Sequence, residues 1–144
     1  MQQLQSSVVL PSGIQVVEQF FDAWRTMDVS GVCALISDDI EYHNDPFRAR
    51  RGRADVEPVL HSYCRVSDLF EIEMHAIAER DGVVLTERTD RAVGPWIDMK
   101  FWICGTFEVR NGRITVWRDY YDTASVALEL LRSPFRRLAA RFAS

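Results

Sequence analysis

Cysteine is scarce, with Cys33, Cys64 and Cys104 the only three in a chain of 144 residues. An odd number at wide spacing excludes a disulfide framework, and no pair has the spacing of a zinc site. The three histidines, His43, His61 and His75, are just as dispersed and predict no metal centre. Excess positive charge is lacking as well. The formal net charge is −4, so no basic stripe marks a nucleic-acid partner. No apolar run approaches the roughly 20 residues that span a bilayer, so no stable membrane insertion is expected. The first residues lack the basic-then-apolar order of a signal peptide. A glycine-rich phosphate loop is missing, as is a Gly-x-Ser-x-Gly nucleophile elbow. No cofactor is therefore expected, and serine-dependent hydrolysis of the α/β-hydrolase type is set aside. The localisation these absences predict is cytoplasmic.

What remains is 47% hydrophobic and 26% charged, enough for one packed core, and predicts a single domain over residues 1–144. Residues 1–7 are polar and predict a disordered lead-in. Ser12 can cap a helix to about Met27, in which Ile14, Val17, Phe20, Phe21 and Trp24 recur at helical spacing. A short helix carries Val32, Leu35 and Ile36. A strand then runs to Asn44, and Arg48 to Arg53 reads as a polar loop. A third helix spans about Ala54 to Val66.

The period then changes from helical to alternating. Strands follow from Phe70, from Val83 to Arg91, from Asp98 to Val109, and from Ile114 to Asp122. Asp81-Gly82 and Asn111-Gly112 supply hairpin turns. A helix from about Thr123 to Leu131 and a basic, amphipathic tail over 133–144 end the chain. The tail suits a cover over the pocket mouth or a dimer contact better than a membrane surface. Helices followed by consecutive antiparallel strands predict an α+β fold, with helices packed over the concave face of a curved sheet and a pocket between the layers.

Ionisable groups inside strands are the anomaly. The period of two puts Val84, Thr86, Arg88 and Asp90 on one face of their strand. It also groups Trp117, Asp119 and Tyr121, and separately Ile40, Tyr42 and Asn44. Spacing alone leaves two readings open. Arg88 and Asp90 can form a solvent-facing ion pair worth roughly 0–1 kcal/mol, or all five polar groups can converge on the pocket. Cys104, between Ile103 and Gly105, reads as a small core residue rather than a nucleophile; Cys33 and Cys64 read the same way.

The segments Tyr42-His43-Asn44, Arg88-Thr89-Asp90 and Trp117-Arg118-Asp119-Tyr120-Tyr121-Asp122 together resemble the limonene-1,2-epoxide hydrolase family. That family's motifs are Tyr-x-Asn, Arg-x-Asp and a Trp-Arg-Asp-Tyr-Phe-Asp strand, here with Tyr121 in place of Phe. The resemblance implies a cone-shaped, nuclear-transport-factor-2-like α+β fold with a curved mixed sheet. It implies one-step hydrolysis of a lipophilic small-molecule epoxide without a covalent intermediate. Asp90, Arg88 and Asp119 would be catalytic, with Tyr42 and Asn44 holding water. It further implies a homodimer through the outer sheet face. Steroid isomerases, dehydratases and non-catalytic lipid- or steroid-binding modules share the fold. A strand arginine between two aspartates separates the hydrolase from them.

Overall fold

The computed structural model describes residues 9–44 and 46–143; the expected lead-in over 1–7 lies outside them. Helix α1 (Gly13–Arg25) begins where Ser12 and Gln15 cap each other reciprocally. Helix α2 (Val29–Leu35) follows, capped by Asp28. Strand β1 (Ile36–Asn44) leads to the two-residue β2 (Arg50–Arg51) and helix α3 (Arg53–Val66). Four long strands come next: β3 (Leu69–Arg80), β4 (Val83–Val93), β5 (Asp98–Arg110) and β6 (Arg113–Tyr120). Helix α4 (Thr123–Phe142) ends the described chain.

The strands form one mixed sheet in the order β2-β1-β6-β5-β4-β3. All pairs are antiparallel except β1 with β6, which run parallel. The β3–β4 and β5–β6 hairpins close on Asp81-Gly82 and Asn111-Gly112, each pair at positive φ, as a tight two-residue turn demands. Along β4, Val84, Thr86, Arg88, Asp90 and Ala92 are buried in strict alternation. Phe20 and Phe21 of α1 pack edge-on against Phe107 of β5, and Phe20 also against Trp117 of β6, so α1 covers the concave face. The α+β expectation, with a curved mixed sheet and helices over its inner face, holds.

Several local expectations are corrected. The arginine-rich segment is not all loop, because Arg50 and Arg51 pair with Tyr42 and Glu41 as β2. The last strand stops at Tyr120 rather than Asp122, since the Asp122 carboxylate accepts from the Ala124 N–H and caps α4. The chain beyond Leu131 is not a separate tail; α4 runs through Pro134 to Phe142. The interior proline is tolerated because α4 is anchored on both sides of it. Beyond Ile103, towards the start of β5, that strand has no β6 partner. There the Asp98 N–H donates to the buried Ser133 hydroxyl, and the Lys100 N–H to Glu129. Arg136 donates to the Asp98 carbonyl and Arg141 to that of Pro95. Helix α4 thus takes the place of a strand on an open edge. Cys33 is buried as expected, but Cys64 is half-buried, and Cys104 lies half-buried on the outer sheet face rather than in the core.

Candidate active site

A cavity of about 410 Å³ opens between the concave face and the helices. Its wall is mostly apolar, with Phe21, Trp24, Phe70, Phe101, Ile103 and Trp117 among the lining residues. The polar groups on it include all five expected site residues: Tyr42, Asn44, Arg88, Asp90 and Asp119. The convergence left open by spacing is thereby realised. The solvent-facing ion pair is excluded, because Arg88, Asp90 and Asp119 are 1%, 3% and 6% exposed.

Two registers bring these residues together. Antiparallel pairing sets Gly105 of β5 opposite both Thr86 of β4 and Asp119 of β6. Parallel pairing sets Tyr42 beside Trp117 and Asn44 beside Asp119. Arg88 therefore reaches across β5 to β6. Its Nε donates to both Asp90 oxygens at 3.0 and 3.2 Å, and its Nη2 donates to Asp119 Oδ2 at 2.8 Å. Nη1 donates to Thr86 Oγ1 at 3.3 Å. The Phe21 ring lies over the guanidinium, 4.8 Å from its centroid.

The passage across β5 exists because Gly105 has no side chain. A Cβ there would sit 2.6 Å from Thr86 Oγ1, 2.7 Å from Arg88 Nη1 and 3.0 Å from Asp119 Oδ1. An isolated glycine inside a strand pattern signals such close approach, and that signal was available in the sequence.

Burial gives the three charges their chemistry. One guanidinium cannot neutralise two buried carboxylates, so a proton is favoured on the pair. Burial pushes the Asp90 carboxyl up to about 6, against the opposing pull of Arg88 and with a further push from the Asp119 charge. Burial also works against the Arg88 charge, but the two aspartates outweigh it and hold the guanidinium above its ordinary value. Asp119 differs from Asp90 in its hydrogen bonds. Its Oδ1 is buried without a partner among the described residues, so one carboxylate oxygen keeps its lone pairs free.

Tyr63 of α3 also belongs to the cavity wall and was not among the expected residues. Its hydroxyl accepts from Asn44 Nδ2 at 2.9 Å. A tyrosine on an amphipathic helix carries no sequence signal that separates it from packing, which is why it was missed. Burial, followed by the proximity of Tyr63, holds the Tyr42 phenol well above its ordinary value. The histidines stay out of the site. His75 bonds Thr89, His43 neighbours Glu41, and His61 lies on α3 beside Glu57. No cluster of metal-ligating side chains occurs among the described residues.

The sequence profile of the limonene-1,2-epoxide hydrolase catalytic domain matches residues 11–132. The chain belongs to that family. It is 41% identical over 117 residues to epoxide hydrolase EphG of Mycobacterium tuberculosis, covering 81% of this chain and 77% of the relative. Its fold superposes on that of an M. tuberculosis LEH-like epoxide hydrolase with a TM-score of 0.80. The identity there is 36%, over 89% of this chain and 96% of that one. An NTF2-like protein of unknown function from Cytophaga hutchinsonii shares the fold at a TM-score of 0.67 and 15% identity, over 81% of this chain and 96% of that one. The chain is thus an enzyme, an epoxide hydrolase with a nuclear-transport-factor-2-like fold.

Proposed function

We propose that this epoxide hydrolase adds water directly to a lipophilic epoxide, giving a vicinal diol in one step. The observation that carries the reading is the buried Asp90–Arg88–Asp119 bridge, whose two carboxyl groups have unlike surroundings. Water is a poor nucleophile and an alkoxide a poor leaving group, so the reaction needs a base and an acid together. Asp119, with an oxygen free of protein partners, takes a proton from water. The water oxygen forms a bond to a ring carbon while the carbon–oxygen bond on the far side breaks. Asp90 delivers its proton to the departing oxygen, its raised value leaving about half of it protonated near pH 6 and most of it below. Tyr42 and Asn44 hold the water beside Asp119. Arg88 touches both carboxylates, keeps them in place and stays charged throughout. The cycle closes when Asp119 loses its proton and Asp90 regains one.

The apolar wall supports a lipophilic substrate, and 410 Å³ lies within the range of small-molecule sites. Single-turnover hydrolysis in ¹⁸O-labelled water tests the mechanism: the label appears in the diol in the first turnover. Label found first in Asp90 or Asp119 overturns it, because a covalent ester would then precede the diol. A panel of terpene, styrene-type, sterol and fatty acyl epoxides defines the substrate class.

The outer sheet face supports a homodimer. It exposes Leu85, Trp102 and Tyr120, with Trp102 48% exposed in the single chain. Trp102→Glu is expected to convert the dimer to monomer in sedimentation, and an unchanged mass would remove this face as the interface.

A further inference from the structure

Asn44, of the water-holding pair, is itself held from outside the sheet. Tyr63 stands in the last turn of α3, where its own carbonyl accepts from Ser67 N–H at 3.2 Å and closes the helix. Its ring meets Trp24 edge-on at 6.2 Å, and its hydroxyl reaches over the end of β1. There it takes one N–H of Asn44 at 2.9 Å. We propose that Tyr63 is a positioning residue that turns Asn44 so that its amide oxygen accepts a hydrogen from the attacking water. This rests on the reading of Asp119 as general base.

The chemical reason is the direction of the water's lone pairs. A water that attacks carbon must aim a lone pair at the ring, so its two hydrogens are best taken by acceptors. Asp119 is one. Asn44 is the other only if its amide oxygen faces the water, and committing Nδ2 to Tyr63 arranges this. A free asparagine can turn over and donate to the water, which occupies one of its two lone pairs and removes the second acceptor that holds its hydrogens. Asn44 lies in register beside Asp119, so the two acceptors are strand neighbours.

Tyr63→Phe keeps the ring against Trp24 and removes only the hydroxyl. The expected result is a fall in kcat of about tenfold, the equivalent of one well-placed hydrogen bond. KM stays within about twofold, because the hydroxyl acts on water rather than on substrate. In an Asn44→Ala background the effect of Tyr63→Phe shrinks to less than about threefold, since its target is gone. A wild-type kcat in Tyr63→Phe overturns the proposal. So does a raised KM at unchanged kcat, or a tenfold loss that persists without Asn44. Asp119→Asn, measured alongside, separates the two readings. If it is inactive while Tyr63→Phe is wild type, positioning fails and the general base stands. If Asp119→Asn is fully active, the general-base reading itself falls.

Discussion

Strand β4 carries two arginines, each bridging two carboxylates, one on either face of the sheet. On the concave face Arg88 joins Asp90 and Asp119. On the convex face, three residues on, Arg91 joins Asp98 and Glu71. Its Nε and Nη2 donate to Asp98 at 2.9 and 3.0 Å, and its Nη1 donates to Glu71 at 3.2 Å. The hydrogen-bonding inventory is nearly the same, and the chemistry is opposite. Hydrogen bonding to Arg91 in partly solvated surroundings draws the Asp98 carboxyl below its ordinary value, so it stays ionised. Burial drives Asp90 up to about 6. An arginine–carboxylate bridge becomes a proton donor only where water is excluded, because desolvation then outweighs the attraction of the guanidinium.

The comparison breaks most clearly at the carboxylates. Asp119→Asn is expected to lower kcat by about 10³-fold or more in a diol-formation assay, within the range general acid–base groups supply. Asp98→Asn on the outer face is expected to leave kcat within about twofold. A comparable loss from both variants would mean that burial is not what distinguishes the faces.

The arginines differ in stability. Arg88→Ala leaves two carboxylates buried without their cation and should cost about 3–5 kcal/mol in urea unfolding. Arg91→Ala should cost about 1 kcal/mol or less, and less still in high salt. Gly105→Ala tests the passage between β4 and β6. The new methyl displaces the guanidinium, and kcat should fall by about 10–100-fold with stability reduced by about 1–3 kcal/mol. A fully active Gly105→Ala enzyme would show that the bridge tolerates movement.

The smallest effect is in pH. In the proposed mechanism Asp90 acts in its protonated form, so kcat/KM should decline as pH rises through about 6, a value that belongs to the coupled aspartate pair. The same shift has a stability sign. The fold raises the carboxyl from 3.8 to about 6, so its protonated form favours folding. That contribution is complete below pH 3.8 and is lost as pH rises through about 6. Asp90→Asn cannot ionise and should lack this loss in thermal melts between pH 4 and 7. Asp98→Asn should show the reverse. Its lowered carboxyl contributes above the ordinary value and loses that contribution as pH falls, so the variant lacks the acid-side loss.

Much of this was legible before any tertiary contact was known. A period of two assigned Val84, Thr86, Arg88 and Asp90 to one face, because side chains on a strand alternate whatever lies beyond it. Asp81-Gly82 and Asn111-Gly112 marked their turns through backbone sterics that are local to the dipeptide. The three motifs carried the family for the same reason, since the residue types proposed to perform the chemistry stand in the strands themselves.

Other features needed the tertiary structure. The bulge between Met74 and Ala76 of β3 lets Ile77, three residues after Met74, return to the inner side; a strict period of two cannot show that. Helix α4 crosses Pro134 because β5 has an open edge to satisfy, which no local signal at the proline records. Tyr63 meets Asn44 only because α3 folds back over the end of β1. The parallel β1–β6 pairing joins segments far apart in the chain and places Asn44 beside Asp119. The sequence determined which charges exist and which face of each strand they take. Tertiary structure decided which face is dry, and desolvation, a property of the assembled surroundings, decided which aspartate can hold a proton.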